Sequence, residues 1–240
     1  MKPLTKILSW LITLLLPVVI VLGVVRLIDT PWYLDFEYRT PGFPADMYGF
    51  SLQDRLKYAK ITFAYVVNSS DISLLADLRF PPGQQTPEPS CQFMADCTHL
   101  YNDRELEHMV DVKNVMRVAM VVLAAGLAIL FILAIWAWRR KWQESYLKGL
   151  ERGGVLILVL FGLVVLFFLV AFNYSFVIFH ELFFAAGTWT FLYSDTLIRL
   201  FPERFWQDTF VIGGGLSILL GIVVYFVARS VRRRASIQAR

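Results

Sequence analysis

Charge is scarce in this chain. Asp, Glu, Lys and Arg make up 18% of its 240 residues, while 57% are hydrophobic. That balance excludes an ordinary soluble domain and suits a chain embedded in a bilayer. Histidine is scarcer still, with three residues, and cysteine occurs twice. The Gly-x-Ser-x-Gly elbow of serine hydrolases is missing, and so is any phosphate-binding glycine loop. The stretch HELFF at 180–184 lacks the zinc-protease pattern, because Phe184 stands where the second histidine would be. There is no internal repeat and no second soluble domain.

What is present is four charge-free runs, at 7–25, 118–138, 153–179 and 209–228. A hydrocarbon core of roughly 30 Å takes about 20 apolar helical residues to cross, and each run meets that length. The first could be a cleaved signal, since Lys2 and Lys6 precede it. It is long for one, however, and Arg26, Leu27, Ile28 and Asp29 follow in place of a small-residue cleavage site. It therefore reads as a retained helix, with Pro17 as a kink. The chain divides into a first transmembrane helix at 1–28 and a cap at 29–117. Further spans follow at 118–138, 153–179 and 209–228, joined by a loop at 139–152 and another at 180–208, with a basic tail at 229–240.

Charge sets the expected orientation. Placing the N-terminus inside puts twelve of the 23 Lys and Arg, but only Glu144 and Glu151 of the 19 acids, in the cytoplasmic pieces. That is the positive-inside pattern. The formal net charge of +4 is then a signature of topology. The Arg232, Arg233 and Arg234 cluster reads as an anchor to anionic lipid, with no role in nucleic-acid binding. The expected location is a bacterial cytoplasmic membrane, with both ends inside and the cap outside.

Within the cap, Leu34, Phe36 and Tyr38 alternate with Asp35, Glu37 and Arg39, which predicts a strand ended by Pro41, Gly42 and Pro44. Ser51 with Asp54 predicts a helix start, with Leu52, Leu56, Ala59, Phe63 and Val66 on one face. Asn102 with Glu105 predicts another, and no Gly or Pro follows until Gly126, so that helix should run on into the second span. The fold class expected is an α-helical membrane protein, a four-transmembrane-helix bundle with a small mixed α/β extracytoplasmic cap. Between those helix starts, Pro81, Pro82, Gly83, Pro87 and Pro89 mark a loop. Cys91 and Cys97 fall at its far end, on the oxidising side, where a disulfide is expected. Adding His99 as a third metal ligand matches no common zinc spacing. Gly213, Gly214 and Gly215 lie inside an apolar span and read as helix packing.

Two histidines could carry chemistry. His108 lies ten residues before Val118, roughly 15 Å of helix. The third run should emerge near Phe172, which places His180 roughly 12 Å beyond it. Both rings would then stand just above the outer leaflet, the level of lipid headgroup esters. Glu105 and Asp111, three residues to either side, share the face of His108 and could orient it. His180 is set among Phe176, Ile178, Phe179, Phe183 and Phe184, and apolar surroundings keep an imidazole neutral, as a general base requires. The plain alternative is that the histidines reach for water and that Glu105, Glu107 and Asp111 form a solvated face. Spacing alone leaves both open.

Three stretches carry a resemblance: RELEHMVDVK at 104–113; FHELFF at 179–184 with Trp189 and Phe191; and DTLI at 195–198, followed by LFP at 200–202 and FWQD at 205–208. Together they resemble the bacterial DUF1461-type family of four-span membrane proteins, the Lit-type lipoprotein intramolecular transacylases. The resemblance runs from about Trp32 to Asp208. It implies an acyltransferase that moves the sn-2 acyl chain of a diacylglyceryl lipoprotein onto the α-amino group of its N-terminal cysteine, giving a lyso-form lipoprotein. No cofactor or metal is implied. The partners would be that lipoprotein and membrane phospholipids. The family's histidines carry over as His108 and His180. On the chemistry, His180 would be the general base and His108 the acid or orienting partner, held by Glu105 or Asp111. Arg104 and Lys113 are candidates for an oxyanion donor. The stretch at 81–98 departs from the family pattern as an insertion close to the His108 motif, placed to reshape the substrate entrance. Two other readings exist: a non-catalytic membrane partner of envelope lipoproteins, and a metal-assisted lipid hydrolase using the histidines and nearby acids.

Overall fold

The computed structural model describes residues 2–238, and over them the chain forms ten helices. In chain order these are α1 (Lys2–Ile28), α2 (Pro31–Glu37), α3 (Leu52–Val67), α4 (Ser73–Ala76), α5 (Glu88–Cys91), α6 (Asp103–Arg139), α7 (Gln143–Val170), α8 (Phe172–Phe183), α9 (Thr196–Leu200) and α10 (Glu203–Gln238). Four of them, α1, α6, α7 and α10, are long and apolar enough to cross a membrane. The protein is a multi-pass helical membrane protein.

Among the described residues there is no strand, only an isolated antiparallel bridge between Arg79 and His99. The expected mixed α/β cap is therefore corrected to an all-helical one. The alternation at 34–39 misled because it is also compatible with a single helical turn. Pro31 occupies the first turn of α2, where its missing N–H costs nothing. Tyr33, Leu34 and Glu37 then fall on the buried side, and Trp32 and Phe36 on the exposed one.

The third apolar run, expected as one helix over 153–179, is two. Helix α7 ends at Val170, Ala171 leaves helical geometry at φ −138° and ψ 52°, and α8 begins at Phe172. No Pro or Gly marks this break. Helix α1 passes Pro17 as a single element.

The chain forms two compact units. One comprises residues 1–27, 119–170 and 210–240, the other 28–118 and 171–209. The first contains most of the apolar helical length, and its packing relies on small residues. A Cβ on Gly154 would lie 2.6 Å from the Gly221 carbonyl oxygen, and one on Gly149 would lie 2.7 Å from the Ser9 carbonyl oxygen. Those helix backbones approach closely because no side chain intervenes, the usual route to association where lipid removes the hydrophobic drive. Polar groups add to this: Ser9 donates to the Ser145 carbonyl at 2.6 Å and Tyr146 to that of Leu130 at 3.1 Å.

The second unit has a conventional core. Tyr33, Leu34, Ala59, Leu75, Leu100, Leu200 and Phe205 are essentially inaccessible. Ser51 and Asp54 close a capping box that starts α3, as their sequence spacing predicts. The loop over 41–50 is clamped by an ion pair with almost no exposure. Arg199 Nε and Nη2 reach the two oxygens of Asp46 at 3.1 and 3.0 Å, and the guanidinium stacks on Phe50. Cys91 and Cys97 are joined in a disulfide, with Cα atoms 5.2 Å apart. The segment around it is tied down by hydrogen bonds from Thr86 to the carbonyls of Cys97 and His99, and by one between the Ser90 and Ser194 hydroxyls at 2.7 Å.

Candidate active site

The site belongs entirely to the second unit. Helix α6 delivers His108. Its start is set by Asn102, whose side-chain oxygen accepts the Glu105 N–H at 3.0 Å while Glu105 Oε2 accepts the Asn102 N–H at 2.9 Å. This reciprocal cap satisfies two of the N–H groups that a helix start leaves open. Glu105 Oε1 accepts a third, from Leu197 at 2.7 Å, in the first turn of α9. One inaccessible carboxylate thus joins two helix starts. Asp195 reinforces the junction by accepting from Asn102 Nδ2 at 3.1 Å and from the Leu192 N–H at 2.8 Å.

Helix α8 delivers His180. The ring centroids of His108 and His180 are 6.2 Å apart, with planes inclined by 23°. The walls are aromatic. Phe184 and Phe191 lie 4.8 and 5.4 Å from His108, and Phe176 and Trp189 lie 4.0 and 4.9 Å from His180. Both histidines are nearly buried, at 8% and 9% exposure. Burial lowers the pKa of His180 below its ordinary 6.5, and the hydrogen bond to the Phe176 carbonyl opposes that only in part. The same bond, 2.8 Å from Nδ1, settles the tautomer. A carbonyl oxygen can only accept, so the proton sits on Nδ1 and Nε2 keeps a free lone pair. The Nδ1 of His108 is buried and has no hydrogen-bond partner among the described residues.

The other residues singled out from the sequence are placed as follows. Glu105 lies one turn before His108, but its oxygens are committed to backbone N–H groups. Asp111 is half-buried, beyond His108 on α6. Arg104 Nη2 stands 3.6 Å from Asp195, with its guanidinium over Phe93. Lys113 is held where α3 ends, 2.5 Å from the Ser70 carbonyl and with its ammonium 3.9 Å from the Tyr65 ring. Among the described residues, no group of three or more His, Cys, Asp and Glu is placed to hold a metal. In the sequence Trp189 stands only within a stretch that carries the family resemblance, with no role of its own. Its indole Nε1 is buried beside His180 without an acceptor among the described residues. Nothing in a linear reading marks a tryptophan as orphaned.

Fold and site together define a class: a multi-pass helical membrane protein with two nearly buried imidazoles packed side by side among aromatic rings. The family model for the lipoprotein intramolecular transacylase Lit matches residues 8–206, and the chain belongs to that family. A protein of Aquifex aeolicus (strain VF5), described only as uncharacterized, is 26% identical over 230 residues, spanning 92% of this chain and 93% of its own. Among solved structures, that of Lit from Bacillus cereus superposes with a TM-score of 0.77 at 18% identity, over 99% of this chain and all of that one. A point variant of the same enzyme gives 0.67 at 20% identity, over 96% and 95%. These structures establish a shared fold.

Proposed function

We propose that this protein moves the sn-2 acyl chain of a diacylglyceryl lipoprotein onto the α-amino group of its N-terminal cysteine. The observation that carries the reading is the pair of imidazoles from α6 and α8 with centroids 6.2 Å apart. The family supplies the reaction type, and the two imidazoles with the Trp189 N–H support it as groups that could carry and stabilise charge.

The amine nitrogen attacks the ester carbonyl and gives up a proton to His180 Nε2, the lone pair left free by the bond to Phe176. A tetrahedral oxyanion results. Trp189 supplies the N–H that stabilises it, since Arg104 and Lys113 are engaged with other groups. The intermediate collapses, the carbon–oxygen bond to the glyceryl group breaks, and an amide forms. The histidine pair returns one proton to the departing oxygen, with His108 beside it. One proton enters the pair and one leaves, so no co-reactant is consumed. Amine and ester belong to one substrate molecule, so positioning contributes much of the rate. Glu105 acts at one remove, keeping the His108 helix start and α9 joined.

The site faces the outside of the bacterial cytoplasmic membrane, with both termini in the cytoplasm. The support is the concentration of Lys and Arg in the pieces assigned inside. The test is expression in a bacterium whose lipoproteins carry diacylglyceryl cysteine, followed by mass spectrometry of their N-terminal lipopeptides. Lyso-form peptides should appear with the wild type and vanish with His180→Ala and His108→Ala. An unchanged lipid pattern despite good membrane accumulation would refute the enzyme and leave a non-catalytic lipoprotein partner. Loss of activity with a chelator would redirect the mechanism to a metal.

A further inference from the structure

The basic end of the first unit holds a cavity of about 420 Å³ that the transacylase reading does not use. Lys6 and Ser9 reach it from α1, and Ser145, Lys148, Glu151 and Arg152 from α7. All these residues belong to one compact unit.

The charge balance favours an anion. Glu151, the only acid on the wall, is held by Arg232 of α10 through two bonds of 2.6 and 3.1 Å. Lys148 pairs with Glu144 at 2.8 Å, but both are at least half exposed, so that pair is weak and exchangeable. Lys6 and Arg152 have no carboxylate within ion-pair distance among the described residues.

Arg152 is also pre-organised. Its Nε donates to the Lys148 carbonyl at 3.3 Å, its Nη2 donates to Ser9 Oγ at 2.5 Å, and its guanidinium stacks over Trp10 at 4.2 Å. Five N–H groups less these two leave three to present to a ligand. A fixed guanidinium fork matches the oxygens of a phosphate, and little side-chain entropy remains to be lost on binding. Trp10 is half exposed on an apolar helix, and an indole in that setting lies at headgroup depth.

We propose that this cavity binds the phosphate of an anionic glycerophospholipid, with Arg152 as the fork and Lys6 as an added point charge. The inference does not depend on the acyl-transfer reading. The group recognised is a phosphate with no compensating cation beside it, from an anionic lipid or from solution.

The test uses the detergent-purified full chain. Phosphatidylglycerol, phosphatidylcholine and inorganic phosphate are titrated separately, and bound ligand is counted by native mass spectrometry. Saturable phosphatidylglycerol binding is expected, weakened about tenfold by Arg152→Gln and about threefold by Lys6→Gln. The exposed pair Arg139→Gln with Arg140→Gln, which removes more charge outside the cavity, should leave it unchanged. Lys6 is itself exposed, so its variant keeps the test valid if Arg152→Gln does not fold. Binding of phosphatidylglycerol without inorganic phosphate identifies the lipid as the source. Binding of inorganic phosphate that is lost in Arg152→Gln identifies the free ion, and either result supports the oxyanion site. Equal affinity for phosphatidylcholine, equal loss in the control pair, or no loss in Arg152→Gln and Lys6→Gln would overturn it.

Discussion

At the scale of single residues, the consequences follow from burial. His180 sits in an aromatic pocket that lowers its pKa below 6.5. Its imidazole should therefore titrate with a midpoint under 6.5 in a histidine-resolved NMR experiment; a midpoint at or above that value would remove the argument for a neutral base. The sign for stability follows. Below pH 6.5 the unfolded chain takes up the proton more readily than the folded one, so this residue's contribution to stability falls as the pH drops. Trp189→Phe keeps the ring and removes the N–H. It should lower kcat about a hundredfold with little change in KM, the pattern of a donor used mainly in the transition state. An unchanged kcat would exclude Trp189 as the donor. Glu37 behaves in the opposite sense to His180. Burial first, and the neighbouring Asp208 carboxylate second, raise it to about 7. The folded protein holds this proton more tightly than the unfolded chain. Ionising Glu37 therefore costs stability increasingly as the pH rises from the ordinary 4.5 through 7. Glu37→Gln should melt a few degrees higher than wild type at pH 8 and hardly differently at pH 5; a higher melting point at pH 5 alone would contradict this.

At the scale of elements, the junction of α6 and α9 is the sensitive point. Glu105→Ala leaves the Asn102 and Leu197 N–H groups buried without acceptors, at a cost of about 2–4 kcal/mol for the two. The expected result is a lower melting temperature together with a kcat loss that exceeds any change in KM, because the His108 turn loses its anchor. Glu105→Gln, which retains one acceptor oxygen, should recover part of both; a variant with normal melting and normal kcat would remove Glu105 from the argument. The junction also shows which sequence signals were informative. Asn102 with Glu105, and Ser51 with Asp54, were readable because a capping box is a contact across three residues. Leu34, Phe36 and Tyr38 were misread because α2 is only seven residues long, so its stretch of apolar alternation fits either period. The break at Ala171 carries no Gly or Pro, so local sequence did not register it.

At the scale of the whole molecule, the proposed orientation has its own test. Alkaline phosphatase fused after residue 95 should be active, and a green fluorescent protein fused after residue 240 should fluoresce. The reverse pattern would put the histidine pair on the cytoplasmic side and overturn the proposed orientation.

The sequence by itself determined that the chain has four apolar spans, the charge asymmetry between their ends and the positions of the caps. These depend on composition and on contacts within a few residues, where the bilayer thickness and the helical rise leave little freedom. It also singled out His108 and His180. Only the tertiary structure decided that their rings meet, that Glu105 serves two helix starts and not an imidazole, that Lys113 is occupied at the end of α3, and that Trp189 keeps a spare N–H. The first three of these depend on partners some 40 to 90 residues apart in the chain. At such separations, side-chain direction follows from how whole helices pack, which no local pattern encodes.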